Sequence, residues 1–403
     1  MRLSSEQAVE GGPIFMQGTA GDFGFDASSD AKPRVLIADD QWNVCEALRL
    51  LLKGEGYELT LVSGPDALLA ELRSGRFDLA LLDLNYTRDT TSGREGLDLL
   101  AAIRRIDAEL PVLVMTAWSS VDVAIEALRL GACDFIQKPW DNAHVLESIR
   151  SRVEQRRAAL HRDRQWQLQM GEAVQIQRRL LPEQLPQPEG CRIAGMYLPV
   201  AHLGGDYFDV AKVGADTALC VADVSGKGLS AALLMSNLQA ALKPQMAAGA
   251  SPAAICRHLN RALNRATAAE KFISFFYGYL SQDARQLIYC NAGHLAPLLV
   301  HPDGSHERLA AGGSIIGYFD DWAYSDQSVA LQPGSRLLLF TDGIVEACNG
   351  TFDEFGEERL IAAAVEYRGF SAEGMKQQII DAALKHAGGK LQDDTTLVVV
   401  EVL

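Results

Sequence analysis

From Arg34 onward, five short apolar runs (RVLIAD, ELTLV, DLALLD, PVLVMTA and CDFIQ) are separated by segments of helix length. These runs do not alternate polar with apolar. They read as strands buried on both faces, and the helices between them imply a parallel α/β sheet. After the proline-rich break LPEQLPQP the pattern changes. The runs TALCVAD, FISFFYGYL, RQLIYCNAG, SRLLLFTD and TTLVVVEV surround helix candidates at 229–246, 252–268 and near 371–386, the signature of an α+β domain.

Between these regions, Asp141 to Leu181 holds no Pro and a single glycine, Gly171, and is rich in Arg and Gln, so it should be largely helical. Leu146, Ile149, Val153, Leu160, Met170, Val174 and Leu181 fall near a 3/4 spacing that Arg156 and Asp163 interrupt. That spacing suits an imperfect coiled-coil seam, and through it a homodimer, or a single solvated linker helix. Residues 1–32, rich in Gly, Ser, Asp and Ala, are expected to be a disordered tail. The expected organisation is a 1–32 tail, a 33–150 domain, a 151–184 helical linker and a 185–403 domain.

A length of 403 residues exceeds what one hydrophobic core usually serves, which supports two domains. No apolar run is long enough to cross a bilayer, and a net charge of −15 opposes nucleic-acid binding. The seven cysteines are scattered and never spaced C-x-x-C, as expected of reduced thiols in a cytoplasmic protein. The N-terminus does not read as a secretory signal.

In the first domain, candidate functional residues fall at strand ends. Asp39 and Asp40 follow the first strand, Asp83 the third, Thr116 the fourth, and Lys138-Pro139 the fifth. Strand C-termini of an open parallel sheet share one edge, where ligands bind. Three carboxylates there suit Mg²⁺, Lys138 suits a phosphoryl group, and Asp83 is placed to be a nucleophile. Each residue alone could be a turn or loop residue; their order argues against that. This half closely resembles the response-regulator receiver family. The resemblance implies a flavodoxin-like fold with a five-stranded parallel sheet, Asp83 as phospho-acceptor, Thr116 and Lys138 as switch residues, and a sensor histidine kinase as phosphodonor. Two departures are the long loop NYTRDTTSGREG after Asp83 and Phe135 at the place of a rotating aromatic switch residue.

The second domain carries four separated acidic motifs: GGDYFD (204–209), VADVSGKG (221–228), FTDG (340–343) and QDDTT (392–396). Phosphomonoester hydrolysis at neutral pH calls for charge neutralisation and an activated water, which two carboxylate-held divalent ions supply. An all-oxygen ligand set suits Mg²⁺ or Mn²⁺. Any one Asp alone could be a turn residue or helix cap. Together the motifs resemble the metal-dependent PPM protein phosphatases, in the SpoIIE/RsbU-like branch, a β-sandwich flanked by helices. By that resemblance Asp223 bridges both metals, the backbone carbonyl of Val224 binds one, and Asp206, Asp342 and Asp393 complete the second site. Asp394 is an alternative to Asp393, and Asp209 could lie in or behind the ligand set. No Arg lies near Asp206 to bind phosphate, as it does in some eukaryotic members. The resemblance further implies a phosphorylated STAS-domain anti-anti-sigma protein as substrate.

Two other functional classes remain for comparison. GGDYF is superficially similar to the diguanylate-cyclase GGDEF signature, but Tyr207 replaces its acidic residue and the other three motifs go unexplained. A receiver-controlled adaptor with a degenerate phosphatase fold would be expected to have lost metal-binding carboxylates, and all four motifs keep theirs.

Overall fold

The structure, a computed structural model, describes residues 31–86, 94–117, 121–264 and 271–403. Residues 1–30 of the expected tail, most of the loop after Asp83 and the end of the 252–268 helix candidate lie outside the described residues. The chain divides into two compact units, with the change from one to the other at Leu168–Gln169.

The first unit alternates strand and helix: β1 (Arg34–Ala38), α1 (Trp42–Leu52), β2 (Glu58–Val62), α2 (Pro65–Ser74), β3 (Leu79–Asp83), α3 (Arg94–Ile106), β4 (Val112–Ala117), α4 (Val121–Arg129) and β5 (Asp134–Lys138). The strands pair in parallel in the order β2-β1-β3-β4-β5, the flavodoxin-like order of a receiver. Successive strand residues serve opposite faces. Val35 and Ile37 pack with Cys45, Leu48 and Leu52 of α1, while Leu36 and Ala38 pack with residues of α2 and α3. Burial on both faces is why these strands read as unbroken apolar runs.

The helix that closes this unit, α5 (Asn142–Arg178), runs 37 residues without a break at Gly171. Val145, Ile149 and Val153 are buried in the core on the α1 side of the sheet. Burying an aliphatic side chain of this size contributes about 1.5–3 kcal/mol, so these positions are committed to that core. The first part of the expected seam is therefore core packing. Leu181, at its other end, is buried in the core of the second unit.

The second unit is built from β6 (Cys191–Leu198), β7 (Tyr207–Val213), β8 (Asp216–Val224), α6 (Leu229–Ala247), α7 (Pro252–Asn264), β9 (Ile273–Leu280), β10 (Gln286–Ala292), β11 (Leu298–Val300), β12 (His306–Arg308), β13 (Gly312–Gly313), β14 (Gln327–Ala330), β15 (Arg336–Phe340), α8 (Asp342–Val345), α9 (Gly356–Glu366), α10 (Ala372–His386) and β16 (Thr395–Val402). One sheet runs β13-β10-β9-β8-β7, with β14 also on β10; the other runs β12-β11-β15-β16-β6. Alternate residues of β16 face opposite ways. Val398, Val400 and Val402 join the core shared with the first sheet, α6 and α7, whereas Leu397 and Val399 pack against α8, α9 and α10. The result is an α/β/β/α sandwich. Among the described residues, no helix is long and apolar enough to cross a membrane.

Candidate active sites

At the receiver edge, oxygens of Asp39, Asp40 and Asp83 all lie within 4.8 Å of one another. The Lys138 ammonium sits 2.7 Å from Asp39 Oδ2 and 3.0 Å from Asp83 Oδ2. Asp83 is almost wholly buried; burial raises its carboxyl, Lys138 opposes that, and the Asp39 charge adds to it. Asp40 Oδ1 is buried without a hydrogen-bond partner. An orphaned carboxylate oxygen beside two others fits a hard divalent cation. Thr116 is buried on β4, paired across the sheet with Gln137 next to Lys138. Phe135 lies on β5 and is 38% exposed.

In the second unit the four acidic motifs come from four separate stretches of chain. Asp206 directly precedes β7, Asp223 and Val224 end β8, Asp342 opens α8 after β15, and Asp393 and Asp394 precede β16. Asp206 is fully buried. Its Oδ2 accepts hydrogen bonds from the Thr341 and Thr396 hydroxyls, both at 2.7 Å. Burial and the neighbouring Asp223 charge push its carboxyl well above the ordinary range. Asp223 is raised to about 7, by burial first and then by Asp342, Asp393, Asp394 and Glu346. Asp342 is raised to about 6, again by burial first, with Glu346 and Asp393 adding to it. Among the described residues, only the Asp39, Asp40 and Asp83 trio brings three carboxylates within 4.8 Å, so the carboxylates of the second unit are spread over a wider space. A set of oxygen donors that repel one another fits divalent cations.

The adjacent pair Asp393 and Asp394 separates cleanly. Asp394 Oδ1 accepts from the Val200 N–H at 2.9 Å and its Oδ2 from the Gly205 N–H at 2.7 Å, so it fastens the GGD loop to the last strand. Asp393 instead points to the Lys227 ammonium at 2.7 Å. Asp209 is buried, accepts a hydrogen bond from the Tyr207 hydroxyl at 3.0 Å and pairs with Lys243 at 2.5 Å. Its charge is thus already matched within the fold. Close approach explains two of the motif glycines: a Cβ on Gly204 would lie 1.8 Å from the Tyr197 hydroxyl, and one on Gly343 2.1 Å from the Asp394 carbonyl oxygen.

Three contacts at this site lie outside the motifs. Gln177, near the end of α5, holds Gly204 from both sides: its Nε2 donates to the Gly204 carbonyl at 2.7 Å, and the Gly204 N–H donates to its Oε1 at 3.2 Å. The buried His294 ring lies between the Ser274 hydroxyl, 2.9 Å from Nδ1, and the Phe340 carbonyl, 3.0 Å from Nε2. Burial lowers this ring to about 4, so it is neutral; a carbonyl at Nε2 makes that nitrogen the donor and Nδ1 the acceptor from Ser274. Ser274 pairs across the sheet with Asp223, and Phe340 lies two residues before Asp342. Glu346, at the end of α8, adds a further negative charge.

Comparison with known proteins accords with this geometry. A family profile described as Stage II sporulation protein E (SpoIIE) matches residues 214–403, and one described as a response regulator receiver domain matches 35–150. The chain is 32% identical to the phosphoserine phosphatase RsbU of Bacillus subtilis (strain 168) over 231 residues, 57% of this chain and 68% of that protein. The chain belongs to the SpoIIE/RsbU phosphatase family. It is a protein serine/threonine phosphatase of the divalent-metal-dependent PPM class, joined to a receiver. The receiver segment is similar to the transcriptional regulatory protein ZraR of Salmonella typhimurium, 39% identical over 116 residues, 28% of this chain and 25% of that protein. The SiaA-PP2C domain of Pseudomonas aeruginosa shares the sandwich fold, with a TM-score of 0.53 at 21% identity over 60% of this chain and 98% of that one.

Proposed function

We propose that residues 33–150 act as a phosphorylatable receiver, 151–184 as a linker, and 185–403 as a two-metal phosphatase acting on phosphoserine or phosphothreonine of a partner protein. The observation that carries this reading is the charge crowding at Asp223, whose carboxyl is raised to about 7 by burial first and then by acidic residues from separate motifs. Asp223 would bridge two Mg²⁺ or Mn²⁺ ions, the Val224 carbonyl would bind one, and Asp206, Asp342 and Asp393 would complete the set. When bound, such ions neutralise phosphoryl charge and supply an activated water. The chain's own part is positional. Thr341 and Thr396 orient Asp206, and Asp394 ties the backbone at Val200 and Gly205, so the ligand loop is fixed before substrate arrives.

On the receiver, Asp83 would attack the phosphorus of a sensor kinase's phosphohistidine. The P–N bond breaks, a P–O bond to Asp83 forms, and imidazole leaves. Asp39, Asp40 and Asp83 would hold Mg²⁺, Lys138 would take a phosphoryl oxygen, and Thr116 would report the modification. The RsbU likeness favours a partner-switching system in the cytoplasm, with a phosphorylated STAS-domain anti-anti-sigma protein as substrate. Homodimerisation through α5 belongs to the same proposal; Trp166, Leu168 and Ile176 are more than half exposed on this helix.

The test is phosphopeptide turnover with Mn²⁺ or Mg²⁺, with chelator, and with Asp223→Asn. Turnover should require metal and nearly vanish in the mutant. Metal-independent turnover that survives Asp223→Asn would overturn the two-metal reading. Pull-down with Asp223→Asn should enrich a STAS-domain protein, and enrichment of a different phosphoprotein would overturn that assignment.

A further inference from the structure

We infer that Lys227 is the substrate-phosphate ligand of this phosphatase, the cation that takes a phosphoryl oxygen directly. This rests on the phosphatase reading above and adds to it a residue for an unassigned task, since no arginine lies close to Asp206 along the sequence. Lys227 belongs to the VADVSGKG motif, in the loop between β8 and α6 that begins immediately after Asp223 and Val224. Gly226 and Gly228 flank it, both at positive φ (92° and 74°), a backbone that turns the loop sharply and that side chains disfavour. The loop is pinned on its other side: the Lys271 ammonium donates to the Ser225 carbonyl at 2.8 Å, and the Phe272 N–H donates to the Ser225 hydroxyl at 2.9 Å. The base of Lys227 is therefore held by the loop itself.

That head lies over the acidic cluster. Its ammonium is 2.7 Å from Asp393 Oδ2 and 3.3 Å from the Gln392 carbonyl, and its charge opposes the upward shifts of Asp342 and Asp394. The side chain is 58% exposed while its ammonium contacts Asp393. A lysine ammonium has three donors on a flexible stem. It can exchange the Gln392 carbonyl, or Asp393 itself, for an oxygen of a phosphomonoester dianion at little conformational cost. The remaining lysine and aspartate contacts nearby are structural: Lys271 is spent on the Ser225 carbonyl, and Lys243 is paired with Asp209.

The experiment compares wild type, Lys227→Gln and Lys227→Arg as full chains loaded with Mn²⁺. Calorimetry reads the affinity for inorganic phosphate and, separately, for Mn²⁺; steady-state kinetics reads KM and kcat on a phosphopeptide. Loss of a charge-assisted hydrogen bond should weaken phosphate binding in Lys227→Gln by ~10-fold or more and raise KM, with Lys227→Arg retaining most of the affinity. Mn²⁺ affinity should hold or tighten, because Asp393 loses a competitor. Unchanged phosphate affinity in Lys227→Gln alongside altered Mn²⁺ affinity would show Lys227 to be only a companion of Asp393, and would overturn the inference. Phosphate binding that depends on Lys227 sustains it whether or not the wild type turns over phosphopeptide; absence of turnover would overturn the proposed activity alone.

Discussion

Replacing Gln177 with alanine removes a side chain that joins the end of α5 to the loop carrying Asp206. The amide is 6% exposed and makes two reciprocal hydrogen bonds to the buried Gly204 backbone, at 2.7 and 3.2 Å. Each backbone group left buried without a partner costs about 1–3 kcal/mol. Taking the lower half of that range for each, because a deleted side chain admits some water, the pair amounts to roughly 2–4 kcal/mol. For a unit of this size about 2–4 °C is lost per kcal/mol, which places the drop in the phosphatase transition at roughly 4–16 °C. Gln177→Glu should be no better, since one carboxylate oxygen would face the Gly204 carbonyl. Differential scanning calorimetry of the full chain separates the transitions of the two units, and Mn²⁺ titration of the same samples reads the site. Metal affinity should fall less than stability does, because Asp206 keeps both threonine hydroxyls and Gly205 keeps Asp394. A phosphatase transition within 1 °C of wild type, a margin well inside the shift worked above, would refute the view that this clasp holds the loop.

Three further outcomes are expected. The carboxyls of Asp223 and Asp342 stand at about 7 and 6, against 3.8 for an ordinary aspartate, so the folded metal-free protein binds more protons than the unfolded chain. In chelator, stability should therefore fall as pH rises from about 4 to about 7; urea melts should show that slope flattened in Asp223→Asn, and an equal slope in both proteins would contradict it. Asp394→Asn should lower stability by about 1–3 kcal/mol because it disturbs two backbone N–H bonds, whereas Asp393→Asn should mainly weaken Mn²⁺ binding; calorimetry giving the reverse order would reverse their roles. Asp83→Ala should abolish acyl-phosphate formation from a small-molecule phosphodonor with Mg²⁺, as read by intact mass, while Thr116→Ala should still be phosphorylated but lose control of phosphatase rate.

Strand ends were the most legible part of this chain, for a physical reason: an apolar run that stops at an aspartate leaves that carboxylate at the sheet edge. Asp83, Asp223 and Asp342 follow that rule. The different contacts of Asp393 and Asp394 were not legible, because neighbouring residues differ only in which way the backbone turns each side chain. Nor was Gln177, one glutamine among several in an Arg/Gln-rich helix whose residues otherwise read as solvated. The seam along 146–181 misled at its two ends, since a helix face packed on a domain core and one packed on another helix have the same 3/4 spacing. His294 follows directly after the run RQLIYCNAG and drew no reading of its own, and its tie to Phe340 spans 46 residues that sequence spacing does not relate.

The two acidic clusters differ in how their charge is balanced, and this decides how each responds to a cation. In the receiver, Lys138 reaches Asp39 and Asp83 together, so one internal cation offsets two carboxylates before any metal arrives. In the phosphatase, burial and the four carboxylates that act most strongly on Asp223 all raise it, and the Lys227 ammonium contacts Asp393 at the rim. A proton is then the default counter-charge at Asp223 near neutral pH, and a divalent ion must displace it. Metal binding there is coupled to proton release, whereas at the receiver's Asp83 burial raises the carboxyl and the Lys138 ammonium opposes that rise. The same crowding that destabilises the empty site favours occupation by divalent cations, because added positive charge relieves repulsion among carboxylates that the sandwich core and the threonine hydroxyls on Asp206 do not allow to move apart.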